Sequence, residues 1–151
     1  MARLEHVAII DDDPAEAVIL EFMFEDNGYS FHCDRFATVE AFLASRRHTE
    51  YALLFLDRRI PPINQFEESV PLILELLGNA NVAVVLMTEH TFQRPSLPPD
   101  SRLIGPVEKL SLIEPGTLDD VLQRASIITQ GRIHLPVGAD SQEPSTRSAC
   151  R

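Results

Sequence analysis

Four groups of polar residues stand where apolar runs stop. Asp11, Asp12 and Asp13 follow HVAII (6–10), Asp57 closes ALLFL (52–56), Thr88 follows VAVVLM (82–87), and Lys109 comes just after RLIGPV (102–107). A carboxylate at the end of a buried run is costly unless something nearby takes its charge. Several carboxylates brought together also repel and raise one another's pKa. A hard dication answers both problems, because Mg²⁺ takes oxygen ligands, keeps several waters and commonly binds one or two carboxylates plus a phosphate. In such a setting Asp57 is metal ligand and nucleophile at once, able to accept a phosphoryl group as an acyl phosphate, while the metal neutralises charge in the transition state. Lys109 would pair with one phosphoryl oxygen as a point charge, and the Thr88 hydroxyl would donate to another. Lys109 is also the single lysine among 13 basic side chains, the rest being arginine.

For these residues to meet, the apolar runs must be strands that end at one edge of a sheet. HVAII is rich in β-branched residues and reads as a strand. Pro14 suits a first helical position, with Asp13 placed to cap it rather than to bind metal, and AEAVILEFMFED is then a helix ended by Asn27-Gly28. YSFHCD (29–34) alternates and reads as a peripheral second strand. Thr38 opens a second helix, and ALLFL is a third strand. FEESVPLILELL is a helix expected to be interrupted near Pro71 and closed by Gly78. VAVVLM and the weaker RLIGPV are strands four and five, and GTLDDVLQRASIITQ is a last helix ended by Gly131. Strands one, three and four are apolar on both faces, as parallel strands covered by helices must be. Right-handed crossovers then give an open three-layer α/β sheet, which binds ligands beyond the carboxyl ends of its strands. One helix is missing from the rhythm: between Thr88 and Arg102 stand Pro95, Pro98 and Pro99, each costing an interior helix roughly 3 kcal/mol. The expectation there is a loop or a single turn.

Composition narrows the function. A chain of 151 residues suits one domain, and its net charge of −10 lacks the basic face that DNA or RNA binding requires. No run approaches the ~20 apolar residues of a membrane span, and MARLEHVAIIDDD turns acidic too early for a signal peptide. Cys33 and Cys150 have no metal or redox spacing, so a reduced cytoplasmic setting is expected, with Cys33 a packed strand residue. After residue 131 the periodicity stops, and 131–151 reads as a flexible tail behind a domain of residues 1–130. The first helix carries only Glu16, Glu21 and Glu25 as charges between positions 15 and 25, an apolar arc wider than burying one face requires.

AIIDDDP, LLFLDRRIPP, VVLMTEH and VEKL resemble the four signatures of the response-regulator receiver domain of two-component signalling. The spacings agree with that pattern: 57 − 12 = 45, 88 − 57 = 31 and 109 − 88 = 21. The resemblance implies a doubly wound, five-stranded parallel sheet of flavodoxin-like order 2-1-3-4-5. It implies that Asp12 binds Mg²⁺ directly, that Asp11 helps through water, that the carbonyl of Arg59 is a further ligand, and that Asp57 is the phosphoacceptor. Thr88 and Lys109 become the phosphoryl-binding pair, and Ile60-Pro61 matches the family's hydrophobic-Pro pair. The implied protein is a single-domain response regulator rather than an enzyme. Its phosphodonor would be a histidine kinase or histidine phosphotransfer protein, docked on the apolar first helix, and its output a further protein or a phosphoryl relay. Three residues depart from the family pattern. Glu89 stands where a small residue usually follows the Thr, Pro106 where an aromatic switch residue usually precedes the Lys, and Leu110 where a cis proline usually follows it. With the broken fourth helix, these support an alternative: a degenerate receiver acting as a phosphorylation-independent interaction module. A haloacid-dehalogenase-type phosphatase would want Asp-x-Asp, and Asp57-Arg58-Arg59 lacks the second acid.

Overall fold

The computed structural model describes residues 5–58, 66–89 and 96–133. Strands β1 (Glu5–Ile10), β2 (Phe31–Phe36), β3 (Leu53–Asp57), β4 (Ala83–Thr88) and β5 (Leu103–Glu108) alternate with helices α1 (Pro14–Asp26), α2 (Val39–Ser45), α3 (Phe66–Leu77) and α4 (Pro115–Ile128). The strands form one parallel sheet in the order β2-β1-β3-β4-β5. This is the doubly wound α/β sheet expected from the alternation of apolar runs and amphipathic segments.

Period-two geometry divides the core. Val7, Ile9, Phe55 and Val85 face one layer with Leu20 and Phe24 of α1 and Leu118 and Leu122 of α4. Ala8, Ile10, Leu54, Leu56 and Val84 face the other with Phe42 of α2 and Val70 and Ile73 of α3. Residues 53–57 and 83–88 are buried throughout, which is why their sequences are apolar without alternation.

Local rules set the ends of the helices. Asp13 Oδ1 accepts from the N–H of Ala15 at 3.0 Å, and Thr38 Oγ1 accepts from the N–H of Ala41 at 3.0 Å, so both serve as N-caps. Gly28 lies at φ +87, and the N–H of Tyr29 turns back to the Phe24 carbonyl at 2.8 Å. That closing turn consumes Tyr29 and Ser30, and β2 therefore starts at Phe31 instead of residue 29. The interruption expected at Pro71 does not occur: α3 runs unbroken through it. Pro71 is on the solvent side of the helix, so the Glu67 carbonyl left without its helical donor faces water, while Phe66, Val70, Ile73 and Leu77 hold the other side to the sheet.

Residues 96–100 form no helix, in keeping with Pro98 and Pro99; positions 90–95, including His90 and Pro95, lie outside the described residues. Arg59, Ile60 and Pro61 lie outside them as well, as does the tail beyond 133. At β5 the register slips between Val85 and Met87, where Gly105 takes φ +104 and the Gly105–Pro106 peptide is cis. A short 3₁₀ turn (Lys109–Ile113) follows. Among the described residues no helix is long and apolar enough to cross a membrane.

Candidate functional site

β3 and β4 end in Asp57 and Thr88, Asp11 follows the last residue of β1, and β5 leads straight into Lys109. Strand register aligns these ends. Ile10 lies beside Leu56, so Asp11 falls next to Asp57, and Asp57 lies beside Met87, one residue before Thr88. Asp11 is 1% exposed, Asp57 8%, and Thr88 is equally buried, while Asp12 is open to solvent.

One carboxylate oxygen from each of Asp11, Asp12 and Asp57 lies within 4.8 Å of the others. Lys109 reaches into this cluster: its Nζ is 3.1 Å from Asp11 Oδ2 and 3.1 Å from Asp57 Oδ1. Asp11 Oδ1 accepts from the Asp13 N–H at 3.0 Å, which fixes that carboxylate's orientation. Burial, then the Asp11 charge, push Asp57 up to about 6, against the opposing pull of the Lys109 ammonium and the Arg58 backbone N–H. For Lys109 burial acts to lower the pKa, but the attraction of Asp57 and Asp11 outweighs it and the net shift is upward. The ammonium is thus firmly held, and one of the two buried carboxylates is the strained partner.

Asp11, Asp12, Asp57 and Lys109 are brought together as expected. Thr88 is placed on the adjoining strand end by register, and the expected fourth ligand, the Arg59 carbonyl, lies outside the described residues. Two contributors were missed by sequence reasoning. Glu16 Oε1 is 3.7 Å from Lys109 Nζ, and Arg35 Nη1 donates to the Asp11 carbonyl at 3.0 Å. Glu16 carries a faint signal as the acid of the first turn of α1; Arg35 becomes visible only once β2 is known to lie beside β1. The donor set is all oxygen, two of the three carboxylates are buried beside a single ammonium, and such a set suits a hard dication. Glu89 is exposed and lines, with Lys109, Ile19 and Leu110, an apolar hollow of about 360 Å³ between α1 and the 3₁₀ turn.

No protein-family model matches the chain, and no curated protein matches it by sequence. Solved structures do match. The N-terminal domain of a response regulator/sensory box/GGDEF protein from Carboxydothermus hydrogenoformans superposes with a TM-score of 0.62 at 18% identity, covering 86% of this chain and all (100%) of that one. A response regulator receiver domain protein from Bacillus halodurans gives 0.58 at 16% identity, over 79% of this chain and 97% of that chain. The anti-anti-sigma factor PhyR from Bartonella quintana gives 0.57 at 17% identity, over 86% of this chain but 50% of its own. An open parallel sheet with an acidic carboxyl edge thus defines the class of molecule. Within that class, the chain has the fold of response-regulator receiver domains.

Proposed function

We propose that the chain is a single-domain receiver that takes a phosphoryl group onto Asp57 from a phosphohistidine of a histidine kinase or histidine phosphotransfer protein. It then signals by protein contact or passes the group on. The observation that carries this reading is the position of Asp57, at the end of a fully buried strand, 3.1 Å from the only lysine and within reach of two further carboxylates.

A carboxylate oxygen of Asp57 attacks phosphorus. The new O–P bond forms as the donor's N–P bond breaks, and the electron pair leaves on the imidazole nitrogen. With a pKa of about 6, Asp57 is largely ionised at neutral pH and able to attack. Lys109, already paired with Asp57 and Asp11, exchanges an aspartate oxygen for a phosphoryl oxygen, and Thr88 donates its hydroxyl to another. Asp11, Asp12 and Asp57, with the Arg59 carbonyl that the receiver resemblance implies, would hold Mg²⁺, which would supply charge neutralisation on the phosphoryl oxygens. In this reading the chain is a cytoplasmic phosphoacceptor and binding partner, with neither an enzymatic substrate nor a nucleic-acid target of its own, and the receiver runs at least to Ile133, which is buried in the core, two residues beyond the start expected for a tail.

Lys109 also supports the second reading, a phosphorylation-independent module. Its ammonium already compensates both buried carboxylates, and Glu89 adds negative charge at the rim. Intact-mass measurement after incubation with a small phosphodonor separates the two. A Mg²⁺-dependent gain of one phosphoryl group that Asp57→Asn abolishes supports phosphoacceptance; an unchanged mass supports the module.

A further inference from the structure

A second cluster of ligating side chains lies on β1 and β2, with His6 five residues or about 16 Å of strand away from Asp11 and Asp34 level with Ala8, three residues away. His6 pairs with His32, and Ala8 with Asp34, in the β1–β2 register. Residues two apart on a strand share a face, so the pairing brings His6, His32 and Asp34 onto one side of the sheet, at its open edge, where β2 is the outermost strand. Their ligating atoms all lie within 4.8 Å of one another. We propose that His6, His32 and Asp34 form a cation site for a borderline transition-metal dication of the Zn²⁺ class, independent of the acidic site around Asp57.

The geometry fits a metal of that size. His32 Nε2 is 3.2 Å from Asp34 Oδ1, and His6 Nδ1 is 3.4 Å from Asp34 Oδ2. Bonds of about 2.0–2.2 Å to nitrogen and oxygen place the corners of a Zn²⁺ tetrahedron about 3.3–3.5 Å apart. The two imidazole rings meet edge to face with centroids 5.2 Å apart, so they converge without stacking.

The outer contacts are those a metal-binding histidine needs. His32 Nδ1 lies 3.2 Å from Glu21 Oε2, and the same oxygen accepts the Cys33 N–H at 2.7 Å. With Nδ1–H donated to Glu21, Nε2 presents its lone pair to the cluster, the carboxylate–histidine–metal relay that orients metal-binding imidazoles. Asp34 is held in turn by the Tyr51 hydroxyl at 2.8 Å and by Arg47 at 3.3 Å. Asp34 thus already has two donors before either histidine is counted. Without a metal, either ring nitrogen facing Asp34 can carry a proton and donate to it; once His32 gives its Nδ1–H to Glu21, its Nε2 lone pair faces Asp34, and a cation between them is what makes that arrangement favourable. A dication uses both lone pairs and the carboxylate together. Two nitrogens and one oxygen also separate this site chemically from the all-oxygen cluster, which favours Mg²⁺. Both histidines are about half exposed, so water completes the coordination and the ion enters directly from solvent.

The experiment is titration of the full chain with Zn²⁺ by calorimetry in excess Mg²⁺, which occupies the Asp57 site, with Co²⁺ as a visible-spectrum probe. The expected result is one Zn²⁺ per chain and a four-coordinate Co²⁺ spectrum. His6→Gln and His32→Gln should each weaken binding by at least about tenfold, and Glu21→Gln by about tenfold through the relay, with unchanged circular dichroism. Asp57→Asn should bind Zn²⁺ as the parent does. No Zn²⁺ uptake, or uptake that persists in the His6→Gln/His32→Gln double variant, would overturn the site and leave the cluster as an edge-strand ion pair.

Discussion

At the β1–β3 half of the carboxyl edge, the strand ends are buried and lead into aspartates whose oxygens have named partners: Asp13 and Lys109 for Asp11, and Lys109 for Asp57. At the β4–β5 half, Glu89 is exposed, β5 is half-buried and bulged at Gly105, and the chain continues into a turn whose Leu110 is 78% exposed. The first half is assembled from charges at rigid strand ends. The second has Pro106 where the receiver pattern expects an aromatic residue, and residues 96–100 form no helix. In the proposed reading the first half supplies the acceptor and the metal-binding carboxylates, the second half lends it Thr88 and Lys109, and readout would use the rest of the second half. On that reading the two tasks share Thr88 and Lys109 but otherwise draw on different parts of one edge, so changes away from these two residues should affect them separately. α1 offers another surface, with Phe22 64% exposed and Val18 and Ile19 also uncovered.

Three substitutions sharpen or break that division, in falling order of effect. Lys109→Gln removes the ammonium that reaches Asp11 and Asp57 from the end of β5. The rate of mass gain from a phosphodonor should fall by about 100-fold, and urea unfolding without Mg²⁺ should show about 2–3 kcal/mol lost, because two buried carboxylates are left facing each other. A near-normal rate would remove Lys109 from the site. Gly105→Ala strikes the second half. A Cβ there would lie 2.7 Å from the Val107 nitrogen and 2.8 Å from the Leu86 oxygen, at φ +104, so about 2–3 kcal/mol should be lost. The folded fraction should still be phosphorylated at the parental rate, and a parallel loss of phosphorylation would show that the halves are coupled. Leu110→Ser, at an exposed position, should change stability by less than about 0.5 kcal/mol and leave the rate of mass gain unaltered.

Asp57→Asn tests the electrostatics with a defined sign. The folded pKa of Asp57 is about 6, above its ordinary 3.8, so the folded chain holds the proton more tightly than the unfolded one. Stability is therefore fully present below pH 4 and declines as pH rises through 6. The Asn variant has no such proton to lose. In EDTA it should match the parent at pH 4 and exceed it by up to about 3 kcal/mol at pH 7.5, as followed by urea unfolding. A gap that stays constant with pH would contradict the raised pKa.

Much of this edge was legible in the chain itself. LLFLD and VVLMT are apolar at every position but the last, which only a strand covered on both faces explains, and the aspartate or threonine at the end of each marks where the layer opens. Lys109 stood out as a lone lysine among arginines. What was not legible depends on contacts between distant segments. Pro71 breaks a helix in isolation, but here the lost hydrogen bond falls on the exposed side while four apolar side chains keep the helix in place. Glu16 and Arg35 join the site only through the packing of α1 and β2 against β1. His6 and His32, 26 positions apart in sequence, become neighbours only when the register of the two strands is known.

Trapping the acyl phosphate tests the central proposal most directly. The full chain is incubated with phosphoramidate and Mg²⁺, reduced with borohydride, which converts an aspartyl phosphate to homoserine, then digested and sequenced by mass spectrometry. The expected result is homoserine at position 57 alone, present only when both Mg²⁺ and the phosphodonor were supplied. Aspartate unchanged at position 57, or homoserine at Asp11, Asp12 or Asp13 instead, would contradict Asp57 as the phosphoacceptor.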